Sequence, residues 1–159
     1  MGARSEQLAT KFDQSCREFT GVVERLNDAE WKKQTAAEKW SVGVVAHHVA
    51  SGCSAIAGLV QRVAKGEPLP GLTMDMIHDM NAKHAKEHAN VTKADTLALF
   101  KTNAASASGT VRALSDGELD RSATLLGGTP MTAAQVIEGI LINHVNEHLG
   151  SIRATVGAK

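Results

Sequence analysis

Residues 132–157 read TAAQVIEGILINHVNEHLGSIRATVG. Thr132 and Gln135 are spaced as a capping box, so a helix opens here. Gly157 is a stop residue, and the helix is expected to run to about Val156. At 100° per residue, Ile137, Leu141, His144, His148 and Thr155 fall within about 60° of one another. This places two histidines in the middle of an apolar stripe, four residues apart and one above the other.

Outward from this segment the chain repeats the same period. In residues 5–27, Leu8, Phe12, Ser15, Phe19, Val22 and Leu26 recur at alternating spacings of four and three, a one-sided stripe. A connector with Trp31 and Trp40 follows; both are expected to plug the core there. Ser41 can cap a second helix that ends near Lys65, with Gly66 as its stop and Pro68 and Pro70 beyond. Its stripe is Val42, Val45, Val49, Gly52, Ile56, Val60 and Val63. Residues 73–90 are polar but contain Met74, Met76, Ile77 and Met80, which suits a short helix. Thr92 and Asp95 cap a third long helix with the stripe Leu97, Phe100, Ala104, Ala107, Val111 and Leu114. Gly117 lies in a terminal turn, and residues 125–130 read as a loop through Gly127, Gly128 and Pro130. No repeat and no strand pair is legible. The expectation is an all-α four-helix bundle forming a single domain over residues 1–159.

Composition agrees with close helix packing. The chain has 159 residues, 43% of them apolar, with 24 alanines and only five aromatics. Seventeen basic residues balance seventeen acidic ones. That neutrality argues against nucleic acid, which needs a basic footprint, and against electrostatic membrane binding. No uninterrupted apolar run approaches the ~20 residues of a membrane span, and the first ten residues lack a signal's apolar region. Cys16 and Cys53 form no CxxC pair and read as small core residues in a reducing cytoplasm.

The excess is in histidine, with seven. His48 lies roughly 80° from the centre of its helix's stripe and can turn inward. His47 points nearly opposite, toward solvent. Three imidazoles, His48, His144 and His148, can therefore converge in one core. Each neutral ring offers a lone pair, and one metal ion meets all three at once. His84 and His88 form a rival pair four apart, but beside Lys83, Lys86 and Glu87 they read as a solvated surface or as pocket lining. His78 is expected to be exposed.

The chain resembles the DinB-like family of four-helix metalloproteins. The resemblance lies in Trp40-Ser41, in His48 eight residues after the Trp, and in the HxxxHxGxI run from His144 to Ile152. It covers nearly the whole chain in segment order. In that register the family's three metal ligands fall on His48, His144 and His148. Ser151 departs from relatives that carry Gln. Relatives include S-transferases that use mycothiol or bacillithiol and a mycothiol-dependent maleylpyruvate isomerase. The resemblance implies a divalent metal on three histidines with open coordination positions.

Zinc, nickel, iron and manganese all accept imidazole, with zinc or nickel the expected ion, and such an ion would lower the pKa of bound water or thiol. The expected function is a thiol-dependent S-transferase acting on a small electrophile, with a low-molecular-weight thiol as cosubstrate. A hydrolase of a small ester or amide and a non-catalytic, stress-associated metal-binding dimer are the alternatives, with an apolar-ligand binder behind them. Glu147 is the candidate base, and Asn143 and Arg153 are candidate substrate or thiol contacts. A homodimer is the expected assembly.

Overall fold

The computed structural model describes residues 2–69, 71–125 and 128–157. Four long helices form the bundle: α1 (Ala3–Glu24), α3 (Val42–Lys65), α5 (Lys93–Arg112) and a composite last helix. That last helix comprises α7 (Ala133–Val136), a π-helical turn (Ile137–Ile142) and α8 (Asn143–Val156). Three shorter helices lie between them: α2 (Asp28–Lys32), α4 (Met74–Glu87) and α6 (Asp116–Asp120). The all-α reading holds, with one addition. Ser122–Thr124 (β1) and Pro130–Thr132 (β2) form a small antiparallel pair, Ala123 opposite Met131. Strands of three residues are too short for an alternation to show in sequence. Pro70 and Gly127 lie outside the described residues.

The helix ends follow their capping chemistry. The Ser41 hydroxyl accepts from the Val44 amide at 3.1 Å, and Thr92 accepts from Asp95 at 3.1 Å. Thr132 and Gln135 close a reciprocal box at 3.1 and 2.8 Å. Each hydroxyl satisfies a first-turn amide that has no partner within its helix, and the Gln135 side chain accepts in return from the Thr132 amide. Gly66 ends α3 with φ 68°. That left-handed conformation favours a residue without Cβ.

The stripe expected of the first helix is buried along its whole length, from Leu8 on α1 to Leu26 just past its end. Phe19 meets Phe100 of α5 at a ring distance of 4.5 Å, a tilted aromatic contact. Arg112 fastens the same two helices from outside, bonding Glu6, Asp13 and Ser108. α3 is the centre of the fold, packing on α5, α8 and the π-helical turn, α2 and α4. Its first half is consequently buried nearly all round, from Val42 to Ala50 apart from half-buried His48. Gly43 lets Trp31 lie directly on the helix, since a Cβ there would meet the indole nitrogen at 2.5 Å. The Trp31 N–H donates to the Val91 carbonyl at 3.0 Å. By length and composition alone, α3 could cross a membrane, with a window of mean hydropathy 1.4. Small and polar residues interrupt its apolar runs, so no span is legible in the sequence. A buried central helix of a bundle meets the same test.

Candidate metal centre

His48 of α3 and His144 and His148 of α8 come together as expected. Their ring centroids lie 4.8–5.0 Å apart, and one donor atom from each lies within 4.8 Å of the others. All three are half-buried rather than central. The fully buried line on α8 is instead Val145, Leu149 and Ile152. The cause is the π-helical turn just before. It takes up one extra residue, so every later side chain is turned back by about 100°. Val145 and Leu149 therefore occupy the directions expected for His144 and His148, and the histidines stand on the shoulder facing α3.

Burial, then the proximity of the other rings, pushes the pKa of His48 down to about 3. His144 is pushed down to about 4 by burial and then by His148, against a hydrogen bond with the His48 backbone. Both rings are thus neutral at ordinary pH, with lone pairs free to donate. The Nε2 of His144 is buried and has no hydrogen-bond partner. It points at Gly52, where a Cβ would collide with that nitrogen. A buried polar atom left unpaired is costly, and a bound ion would satisfy it. The donor set therefore fits a divalent transition metal.

A carboxylate that sequence reasoning missed supports the cluster. Glu38 accepts from Nδ1 of His148 at 2.7 Å and from the Ser151 hydroxyl at 2.5 Å. Burial opposes ionisation of Glu38, but hydrogen bonds from Ser151, His148 and Thr35 outweigh it and hold the carboxyl below its ordinary value. An ionised carboxylate only accepts, so His148 carries its proton on Nδ1 and keeps Nε2 free. Ser151, the departure from relatives, thus anchors that carboxylate. Glu38 sits in a tight loop closed by Thr35 and Trp40, whose backbones bond at 2.8 Å. The next residue, Lys39, is left-handed at φ 62°, an uncommon conformation for a residue with a side chain. Trp40 packs edge-on against His48 at 5.4 Å, so it does more than plug the connector.

The other predicted residues are placed differently. Glu147 and Asn143 are exposed, and among the described residues neither bonds to a histidine. Arg153 is half-buried one turn beyond His148. His78 is exposed. Cys16 and Cys53 are buried free thiols; burial pushes the Cys53 pKa up to about 12 and that of Cys16 higher, so neither is a thiolate nucleophile. A groove of about 650 Å³ between α1 and α5 passes Cys16 and holds none of the histidines.

The expectation for His47 is overturned. It is 9% exposed, because α4 crosses that side of α3 and covers it with His84 and His88. His47 Nδ1 and His84 Nε2 share a hydrogen bond at 2.7 Å. His84 and His88 accordingly face α3 rather than forming a solvated surface. Their spacing of four was the signal, but nothing in the sequence showed which helix they would meet.

Among curated proteins, none matches the chain. In structure the chain is similar to the mycothiol-dependent maleylpyruvate isomerase, with a TM-score of 0.76 at 15% identity. A mutant of that isomerase aligns with a TM-score of 0.77, also at 15% identity. These alignments cover 99% and 100% of this chain, which spans only 64% and 65% of the isomerase chains. At that identity the likeness shows the fold alone. Residues 11–152 match the DinB superfamily, nearly the whole sequence, and the chain belongs to that superfamily.

Proposed function

We propose that the chain holds a divalent metal, zinc or nickel, on His48, His144 and His148 and acts as a thiol-dependent transferase on a small electrophilic substrate. The observation that carries this reading is the buried, unpartnered Nε2 of His144, aimed at the space beside Gly52 with two further imidazoles converging on it. The mycothiol dependence named for the structurally similar isomerase supports the choice of a thiol. A divalent ion bound by three neutral ligands keeps its full charge and favours the thiolate form of a bound thiol.

The chain's own residues supply the rest. Burial keeps His48 and His144 neutral, ready to donate. Glu38 holds the His148 proton on Nδ1 and fixes the ring's orientation. Trp40 shields His48 from water on one side. Arg153, with its planar cation, is the substrate-carboxylate contact in this reading; Glu147, exposed on the rim, is the base, and Asn143 beside it is a thiol or substrate contact. The protein works in a reducing cytoplasm as a homodimer; sedimentation tests the assembly.

Bound zinc in the wild type and in His148→Ala tests the site. The variant should lose one equivalent; equal zinc in both overturns the assignment. Mycothiol, bacillithiol and glutathione, each offered with an electrophile panel, test the chemistry. Turnover with one thiol is expected, and turnover with none overturns thiol dependence.

A further inference from the structure

The opposite side of α3 carries a second histidine cluster that the proposed chemistry does not use. His47 stacks on His88 with ring centroids 4.1 Å apart, and His84 lies 4.5 Å from His88 and 4.9 Å from His47. One donor nitrogen from each residue lies within 4.8 Å of the other two. The cluster shares no residue with the first. It borders it, since His84 lies 5.8 Å edge-on from His48.

We propose that His47, His84 and His88 form a second divalent-metal site that clips α4 onto α3. Two observations beyond the clustering point to an ion. First, Nδ1 of His84 is buried and has no hydrogen-bond partner, although Nε2 of the same ring is satisfied by His47. Stacked neutral rings leave that donor or acceptor unmet, whereas ligation uses such nitrogens. Second, α4 contains no buried residue, and its methionines 74, 76 and 80 are 46–57% exposed. Apolar burial therefore does little to hold this helix. His84 on the helix and His88 at its C-terminal end nevertheless face inward and meet a histidine that the core helix presents.

The ligand chemistry selects a borderline ion such as zinc, nickel, cobalt or copper rather than calcium or magnesium, which take oxygen ligands. Nitrogens around a tetrahedral ion at ~2.0 Å stand ~3.3 Å apart. The His47–His84 pair, at 2.7 Å, would open slightly on loading, a small motion for a helix so lightly packed. The ion's role here is structural: it fixes α4, which forms a wall beside His48 of the first cluster.

The test uses the full chain, stripped with chelator, reloaded with zinc and dialysed. Wild type should bind two equivalents, His148→Ala one, the double variant His84→Ala/His88→Ala one, and the combined triple variant none. In the His148→Ala background, zinc should slow hydrogen exchange of the amides of α4; it should not do so once His84 and His88 are replaced. His84→Gln/His88→Gln gives the same result if the alanine pair misfolds. The second site is overturned if the double variant binds as much zinc as the wild type, or if α4 exchange ignores zinc. Failure of the first site reads differently, as undiminished zinc in His148→Ala.

Discussion

The two histidine clusters on α3 are chemically alike and mechanically unlike. The His48 cluster leans on α8, a helix with Val145, Leu149 and Ile152 sunk in the core, and is braced by Glu38 and Ser151. The His47 cluster leans on α4, a helix with no buried residue, and is joined by one hydrogen bond, His47 to His84, and by ring contacts with His88. Three imidazoles can therefore be gathered in two ways. One way builds them into a scaffold that already stands. The other lets the ligands themselves hold an element that would otherwise pack weakly.

The largest effect that separates the clusters should come from Gly52→Ala. Its methyl would occupy the place of His144 Nε2, and the three atoms nearest to it all belong to the His144 ring. Zinc affinity at the first cluster should fall by more than the ~100-fold upper end expected for losing a ligand's supporting partner. Zinc on α4 should be retained. Competition with a chromophoric chelator reads both; equal loss at the two clusters would break the contrast.

Glu38→Gln comes next. The amide can still touch His148 but carries no charge to hold the ring's proton. Affinity at the first cluster should drop by ~10–100-fold. Ser151→Ala should cost less, because it removes one of several bonds to the same carboxylate. An unchanged affinity in Glu38→Gln would show that the brace does not orient the ligand.

Acid should destabilise the metal-free chain through both clusters. His48, His144 and His47 have folded pKa values of about 3, 4 and 4. Unfolded histidine titrates near ~6.5. Between these values the unfolded chain binds more protons than the folded one, so stability is full above ~6.5 and falls as pH drops toward about 3. Urea midpoints at pH 7 and pH 5 should show the fall. Hydrogen exchange at pH 5 should show α4 losing protection before α8, because α4 can swing out without opening the core. Simultaneous loss would erase the mechanical distinction.

The smallest effect should be Met80→Ala, at 57% exposure. It should change unfolding stability by less than about 0.5 kcal/mol. Phe19→Ala, in the core, should cost ~3–5 kcal/mol.

Much of this was legible in the sequence, for reasons tied to particular residues. The α1 stripe is an unbroken helical period, and every residue predicted on it is buried. Ser41, Thr92 and Thr132 act locally, within three residues of the amides they cap. The grouping of His48 with His144 and His148 needed only two helix periods and a contact between the helices. What stayed hidden was non-local or depended on irregular backbone. The π-helical turn breaks the 100° rule, so a uniform period puts the pair one residue out of phase with the core line. Glu38 reaches His148 across 110 positions of sequence, from a loop no period describes. His47 looks solvent-facing until a polar helix without a clear stripe is laid over it.

His47 and His48 are consecutive residues on one rigid helix, about 100° apart. Their Cα atoms are joined by a single ~3.8 Å virtual bond. A rotation of α3 about its own axis therefore cannot advance one ring without swinging the other through the same angle. The helix acts here as a crank with two handles, and its angular play is limited by whichever cluster is gripped more tightly. The better-braced side sets the aim of both.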